Sequence, residues 1–325
     1  AKLTVRWTFK VEKGAFEGTP AIVGDRVTIG DLDGSVFCLD LATGKKVWEH
    51  LTESGFLASP AVREQRVYIG DFDGRFYCLN ADSGELLWTF DSDAEIDSGA
   101  NFFDDKVLFG SQDATLYCLD AESGKLAWKH AIEDQIRCTP TVIQRRCFVA
   151  GCDARLHVID LDQGKAVGGV DIQSPTGVTP AAMGDRVYFG TEGGDFFCVD
   201  WKRAEIVWRF EGDVGGQSFR SSPAVTEDFV VIGGRDRHVR ALEPKTGREI
   251  WKFAGKTRFD ASPVIAGQRV YVAAADGRLY GLELDSGREV WQHQASGGFV
   301  GSPAVAGGSL VIASDEGVVY CFSEG

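Results

Sequence analysis

A tryptophan recurs along this chain at intervals of about forty residues. The series misses one position near Gly168 and consists of Trp7, Trp48, Trp88, Trp128, Trp208, Trp251 and Trp291. A repeat of this length with several short strand signals is typical of a radial β-architecture, in which each unit packs between two neighbours. The spacing constrains the fold more than any other feature of the sequence.

Residues 56–90 show what one unit contains. SPAV begins a first strand, RVYIGD and RFYCLN form the second and third around Asp73-Gly74, and ELLWTF forms the fourth. Asp-Gly between apolar runs favours a type I′ hairpin turn, since both central residues need positive φ. The second and third strands are apolar on both faces, as expected for a sheet covered on both sides. Each unit predicts a four-stranded antiparallel blade.

The number of first strands gives the number of blades. They begin at Thr19-Pro20, Ser59-Pro60, Gly99-Ala100, Thr139-Pro140, Thr179-Pro180, Ser222-Pro223, Ser262-Pro263 and Ser302-Pro303. The last unit ends after its third strand, whereas the chain begins with LTVRWTFKV, which matches the fourth strands of other units. We expect one all-β, eight-bladed propeller over residues 1–325. Residues 3–11 would form the outer strand of blade eight and residues 12–325 blades one to eight.

Charge and hydropathy exclude two classes of partner. The net charge of −14 and the lack of a lysine/arginine run argue against nucleic acid, because phosphate contacts dominate such affinity. No segment approaches the ~18 consecutive apolar residues of a membrane helix, so membrane insertion is not expected.

Five of the eight cysteines share one repeat position, which we interpret as a small-residue position in a packed strand. They are Cys38, Cys78, Cys118, Cys198 and Cys321, and Ala241 and Gly281 replace them in two other units. Equivalent positions in different blades are too far apart for disulfides. The redox state of Cys138 and Cys152 is left open.

No motif in the sequence predicts catalysis. There is no Walker loop, GxSxG elbow or dinucleotide fingerprint. His50, His130 and His293 fall on outer strands of different blades, so a shared metal is not expected. The Asp-x-Asp-Gly segments at 31–34 and 71–74 are interpreted as hairpin turns rather than calcium loops. We predict no catalytic residue, no metal and no cofactor.

Two positions before each first strand are expected to surround one opening of the central channel. The first is often charged, as in Glu17, Asp97, Arg137, Arg220 and Asp260. The residue before it is mostly aromatic, as in Phe16, Phe56, Phe219, Phe259 and Phe299. One interpretation is a funnel that binds a peptide or a small polar ligand. The alternative is that the phenylalanines fill gaps between blades while the charges face channel water.

Departures from the repeat in blades five and six indicate a second candidate surface. Blade five replaces the glycine turn with Trp201, Lys202 and Arg203, and residues 212–218 lengthen the following loop. Blade six adds Arg235, Arg237 and His238. Because Trp and Arg are favoured interface anchors, we expect a protein-binding patch with an exposed Trp201. Neutral variation is the alternative.

The unit SPAV-x5-VYIGD-x-DG-x2-YCLN-x2-SG-x3-W resembles the repeat of the pyrroloquinoline-quinone-type β-propellers over essentially the whole chain. The resemblance implies one of two branches. Quinoprotein dehydrogenases hold a quinone and calcium on the channel axis under large insertions, beside a disulfide of adjacent cysteines. This sequence has short inter-blade loops and no Cys-Cys pair. The other branch is non-catalytic and includes the propeller lipoprotein of the outer-membrane barrel assembly machine.

We therefore expect a non-catalytic, monomeric module that binds a protein or peptide. A quinone-dependent oxidoreductase and a small-ligand sensor that uses the channel are the alternatives. The compartment stays undetermined, because free cysteines favour a reducing one whereas the resemblance implies the periplasm or cell envelope.

Overall fold

The computed structural model describes residues 2–212 and 218–324, so most of the longer loop expected at 212–218 lies outside the described residues. Every regular element within them is a β-strand. The described residues contain no helix that is long and apolar enough to span a membrane. The first half of the chain contains β1 (Leu3–Lys10), β2 (Ala21–Val23), β3 (Arg26–Gly30), β4 (Ser35–Asp40), β5 (Lys46–Leu51), β6 (Ala61–Arg63), β7 (Arg66–Gly70), β8 (Arg75–Asn80), β9 (Leu86–Asp91), β10 (Asn101–Phe103), β11 (Lys106–Ser111), β12 (Thr115–Asp120), β13 (Leu126–Ala131), β14 (Thr141–Ile143), β15 (Arg146–Ala150) and β16 (Arg155–Asp160). The second half contains β17 (Lys165–Asp171), β18 (Ala181–Met183), β19 (Arg186–Gly190), β20 (Asp195–Asp200), β21 (Glu205–Glu211), β22 (Ala224–Val225), β23 (Val230–Gly233), β24 (His238–Leu242), β25 (Glu249–Ala254), β26 (Val264–Ala266), β27 (Arg269–Ala273), β28 (Arg278–Glu283), β29 (Glu289–Gln294), β30 (Ala304–Ala306), β31 (Ser309–Ala313) and β32 (Val318–Glu324).

These strands form eight four-stranded antiparallel sheets. Seven sheets use four consecutive strands, from β2–β5 to β26–β29, and the eighth has the order β1-β32-β31-β30. The innermost strands contact one another around a channel, with β30 of blade eight beside β2 of blade one. The prediction of an eight-bladed propeller closed by its N-terminal strand is confirmed.

Every blade presents equivalent parts at each end of the channel. The hairpin between its second and third strands (residues 31–34 in blade one) and the segment entering its first strand (residues 15–20) are hydrogen-bonded together at one end, here called the mouth face. The turn between its third and fourth strands (residues 40–45) lies at the other end, the turn face. A strand of five or six residues, roughly 17–20 Å long, separates the faces.

The recurring tryptophan joins each blade to the next, in a contact called here the tryptophan clasp. Its indole Nε1 donates a hydrogen bond of 2.7–3.3 Å to a backbone carbonyl of the next blade. The pairs are Trp7–Leu41, Trp48–Ala81, Trp88–Ala121, Trp128–Leu161, Trp208–Pro244, Trp251–Leu284 and Trp291–Leu3. In six clasps the ring also lies on the turn glycine of the next blade. Gly44 has φ +71°, and a Cβ there would lie 2.5 Å from the Trp7 ring, so only glycine fits.

Within its own blade the tryptophan faces the small-residue position. Cys38 pairs with Trp48, Ala241 pairs with Trp251, and a β-bulge follows each pair. A small side chain is needed opposite the indole, because a packed interior tolerates little added volume. The interpretation of the recurring cysteines is confirmed, and all eight thiols are free, including Cys138 and Cys152.

The junction between blades four and five lacks the clasp and differs on both sides. Gly168 takes the tryptophan position and faces Val158 instead of a small residue. The turn glycine of blade five is replaced by Ala204, which keeps a positive φ of 55°. By the geometry of the other junctions, the Ala204 Cβ would overlap an indole at position 168. The two replacements are sterically coupled.

Trp201 fills part of this junction from the other side. Its ring packs edge-on against Phe148 of blade four, with centroids 5.6 Å apart, and its Nε1 donates to the Gly184 carbonyl at 3.1 Å. Trp201 is therefore half-buried rather than exposed as expected, because contact with the neighbouring blade removes apolar ring surface from water.

The recurring Ser/Thr-Pro pair links the innermost strands. In seven links of 2.8–3.1 Å, a backbone N–H donates to the hydroxyl at the equivalent position of the next blade. The links are Thr19–Ser59, Gly99–Thr139, Thr139–Thr179, Thr179–Ser222, Ser222–Ser262, Ser262–Ser302 and Ser302–Thr19. The link from Ser59 to blade three is missing because Gly99 has no hydroxyl. The motif therefore builds the channel wall.

We expect the N-terminal strand to be essential for stability. β1 pairs with β32, Trp7 is buried against blade one, and Leu3 accepts the clasp of blade seven. Deletion of residues 1–11 should lower the melting temperature sharply, since loss of a buried tryptophan alone costs about 3–5 kcal/mol. The control is Lys2→Ala, which is exposed before the strand. Calorimetry that finds an unchanged melt for the deletion would contradict the latch.

We also expect that the missing clasp can be restored only by a combined change. In a Val158→Cys background, Gly168→Trp alone should destabilise, whereas Gly168→Trp with Ala204→Gly should show a favourable coupling energy of about 1–3 kcal/mol in denaturant unfolding. Ala154→Gly, another alanine at positive φ, is the matched control for the second change. Additive effects of the paired substitutions would show that the coupling does not exist.

Candidate binding site at the channel mouth

Each blade has three positions at the mouth, not all of which carry a side chain. The entry segment contributes two, on either side of a buried residue, as Glu95 and Asp97 flank Ile96 in blade three. The hairpin between the second and third strands contributes the third, which is Gln112 in the same blade. The backbone N–H of Gln112 donates to the Glu95 carbonyl at 2.9 Å, and that of Ile96 donates to blade two at 3.1 Å. The mouth side chains are therefore carried by short, hydrogen-bonded segments.

The aromatic candidates lie inside the channel wall. Their exposed fractions are 0–1%, and they fill the gaps between blades: Phe16, Phe56, Phe219, Phe259 and Phe299. Phe56, for example, packs on Gly30 of the preceding blade and edge-on against Tyr77 at 5.8 Å. A ligand at the mouth would not touch these rings. The charged candidates reach the opening as half-buried or exposed side chains, and they are Glu17, Asp97, Arg137, Arg220 and Asp260.

Carboxylates gather on one side of the mouth, in blades eight, one and three. This acidic sector consists of Glu17, Glu95, Asp97 and Asp315. Gln112 Nε2 donates to Glu95 Oε2 at 2.9 Å and to Asp97 Oδ2 at 2.8 Å. Burial and the neighbouring Asp97 raise the pKa of Glu95 to about 7. Burial, followed by the negative charges of Asp315 and Asp97, also raises the pKa of Glu17.

Arginines gather on the opposite side, in blades four to seven. This basic sector consists of Arg137, Arg220, Arg235 and Arg258. Arg220 Nε lies 2.9 Å from Glu192 Oε1. Arg235 and Arg258 each donate to Asp260 at 2.8 Å, and although burial alone would raise the pKa of Asp260, these bonds outweigh it and lower the pKa. Among the described residues, four guanidinium groups face two carboxylates on this side of the mouth.

Several residues at the mouth were not predicted from the sequence. Glu95 and Arg258 precede the buried residue of the entry segment, whereas Gln112, Glu192 and Arg235 come from hairpins about fifteen residues later. The available signal was that equivalent positions vary in charge among otherwise similar units. Arg235 belongs to the protein-binding patch predicted in blades five and six, here called the partner patch, but it forms an ion pair with Asp260 at the mouth.

The structure does not bring the six residues of the partner patch together. Trp201, Lys202 and Arg203 belong to a turn between third and fourth strands and lie on the turn face, where Lys202 pairs with Asp185 at 2.7 Å. The other three, Arg235, Arg237 and His238, belong to a mouth-face hairpin of blade six. The prediction of one patch is corrected, because consecutive turns of a blade alternate between opposite ends of its strands.

One sizeable groove lies away from the mouth. It is a groove of about 900 Å³ on the turn face between blades five and six, lined by Met183, Arg186, Tyr188, Asp200, Arg203 and Lys245 among others. Arg186 pairs with Asp200, and the Tyr188 hydroxyl donates to the Pro244 carbonyl at 3.4 Å. The Arg186–Asp200 pair lies within blade five, whereas the Tyr188–Pro244 hydrogen bond joins blade five to blade six.

Metal-ligating side chains do not cluster in threes anywhere in the described part of the chain. Within residues 2–212 and 218–324, no three acidic, histidine or cysteine side chains converge to hold a metal ion. The Asp-x-Asp-Gly segments are hairpin turns as predicted, since Asp31 Oδ1 accepts from the backbone of Asp33 and Ser35 at 3.1 and 2.7 Å.

We expect Glu95 to make stability depend on pH. Its folded-state pKa lies above that of the unfolded chain, so the folded state holds the proton longer and stability falls as pH rises from about 4.5 to 7. Glu95→Gln keeps an acceptor for Gln112 and should melt higher than the wild type at pH 8 but equally at pH 4. The matched control is Glu85→Gln on an exposed turn. Identical pH profiles for wild type and Glu95→Gln would contradict the assignment.

Comparison with known proteins supports the fold and the repeat family. The sequence matches the family described as outer membrane protein assembly factor BamB over residues 4–96, 73–167 and 152–323. The crystal structure of BamB from Moraxella catarrhalis superposes with a TM-score of 0.85 at 21% identity, covering 100% of this chain and 98% of that one. The computationally designed Ika8 protein gives 0.86 at 18% identity, covering 97% and 98%.

A quinohemoprotein alcohol dehydrogenase from Comamonas testosteroni is also similar, with a TM-score of 0.83 at 14% identity, covering 100% of this chain and 77% of that one. At such identities the structural likeness shows the fold alone. No curated protein sequence matches significantly. Because the family match extends over nearly all of the eight blades described above, the chain belongs to the BamB family of pyrroloquinoline-quinone-like propellers.

Proposed function

We propose that this propeller is a non-catalytic module that binds a protein or peptide partner through its mouth face. The family match supports a protein-binding role. The observation that carries the proposal is the separation of charge at the mouth, with the acidic sector on one side and the basic sector on the other. Complementary charge orients a partner and discriminates against wrong ones.

The architecture suits such a platform. The mouth residues stand on hairpins and entry segments that are tied to neighbouring blades by backbone hydrogen bonds, and their phenylalanine supports are fully buried. A partner that docks here meets a surface that needs little ordering, and the entropic cost of binding is correspondingly low.

Two alternatives keep specific support. The structural likeness to a quinohemoprotein alcohol dehydrogenase motivates a quinone-dependent oxidoreductase as one alternative, although no three acidic, histidine or cysteine side chains converge among the described residues. The channel itself favours a sensor for a small ligand. Added quinone and calcium followed by absorbance and dye-linked alcohol oxidation test the first, and thermal shift against metabolite libraries tests the second.

We expect partner contacts to concentrate at the mouth. A photo-crosslinking amino acid at Leu57 or Val300, which belong to the ring of Glu17 and Asp97, should capture one defined partner from the native source. The same group at the exposed outer-strand positions Val47 or Leu87 is the matched control. Mass spectrometry identifies the crosslinked protein. Equal crosslinking at the outer-strand and mouth positions, or crosslinking only at the outer strands, would contradict partner binding at the mouth face.

A further inference from the structure

The basic sector contains a hollow whose size and charge suit a small anionic group. About 160 Å³ in volume, it lies between blades four, five and six and is lined by Arg137, Gly177, Val178, Glu192 and Arg220. Gly177 of blade five is equivalent to Arg137 of blade four and Arg220 of blade six. A Cβ at Gly177 would lie only 3.2 Å from the Arg137 Cβ, so the missing side chain gives Arg137 its room. The hollow corresponds to roughly five water volumes.

Both guanidinium groups are oriented before any ligand arrives. Arg137 donates from Nε and Nη2 to Gln135 Oε1 at 3.1 and 2.7 Å, and this acceptor carries no charge. Among the described residues, no carboxylate oxygen forms an ion pair with Arg137. Glu192 holds Arg220 through Nε, which lies 2.9 Å from Glu192 Oε1. Held arginines lose less entropy when they bind a planar anion.

We propose that this hollow, called here the arginine hollow, binds a side-chain carboxylate of an acidic peptide segment. The inference rests on the proposed function of the mouth face and specifies the chemistry of its partner. A carboxylate matches the planar fork of arginine and carries a single charge. The net charge of −14 disfavours nucleic acid as the source of the anion.

The hollow also explains why the mouth is divided. A peptide that enters with its carboxylate toward Arg137 and Arg220 turns its other end toward Glu95 and Asp97, which favour a cationic or neutral group. The two sectors thereby impose a direction on a bound segment. A uniformly acidic or basic ring would not do so.

The test is binding of a rhodamine-labelled hexaglutamate peptide to the full chain, followed by fluorescence anisotropy at about 50 mM salt, where charge interactions are weakly screened. We expect saturable binding that hexaglutamine does not show. Arg137→Gln and Arg220→Gln should each weaken it about tenfold, since a charge-assisted hydrogen bond contributes that order of affinity. Gly177→Leu, which fills the hollow and keeps both arginines, should weaken it similarly. Arg6→Gln on the exposed outer strand is the matched control.

Three results would overturn the proposal: hexaglutamine binding as tightly as hexaglutamate, equal affinity of all variants and wild type, or inorganic phosphate displacing the peptide with matching affinity. The last result would mean a small-anion site. Melting curves of the variants verify folding, and because the substituted side chains are exposed, we expect unchanged melts. If the mouth crosslinks persist while hexaglutamate fails to bind, the proposed function stands and the arginine hollow does not.

Discussion

The tryptophan clasp is the contact on which this structure depends. It occurs at seven of the eight junctions among the described residues, and each time it combines burial of an indole against the next blade with a hydrogen bond to a carbonyl of that blade. The clasp explains three sequence features together: the forty-residue period, the turn glycine and the small residue opposite the indole. Through Leu3 and Trp7 it also incorporates the N-terminal strand into the ring.

A second circle of contacts supports the blades at their inner edge. Hydroxyls of the Ser/Thr-Pro pairs accept backbone N–H groups from the preceding blade, so the blades are joined both at the channel and at the rim. Blade positions are therefore fixed at two radii. The short segments at the mouth are anchored to these blades. Their charged side chains therefore keep fixed positions without the help of long loops. Such preorganisation lowers the cost of binding.

The irregular places in the ring have physical explanations of different kinds. At the junction of blades four and five, Gly168, Val158 and Ala204 change together because each alters the room for one indole. Trp201 then covers part of the gap. At the mouth, by contrast, Gly177 opens a hollow between two arginines and serves no clasp. The first irregularity concerns packing, and the second concerns what the surface can bind.

The sequence predicted part of the candidate site at the mouth. The repeat placed Glu17, Asp97, Arg137, Arg220 and Asp260 around one opening, because equivalent positions of a radial repeat must form a ring. It did not reveal that Gln112, Glu192 and Arg235 reach them, since those contacts join a hairpin to an entry segment at a distance along the chain. It left open whether the phenylalanines fill gaps between blades or face the opening, because this depends on the fit between neighbouring blades.

The sequence by itself determined the number of blades, their four strands and the closing role of residues 3–11, observed as Leu3–Lys10. Periodic burial, turn chemistry and an unpaired strand at each end of the repeat admit one arrangement. Only the tertiary structure decided how the mouth charges divide into sectors and that the patch of blades five and six splits between opposite faces. Charge sorting arises from side chains of different blades meeting across a channel, and sequence spacing does not record distances between blades.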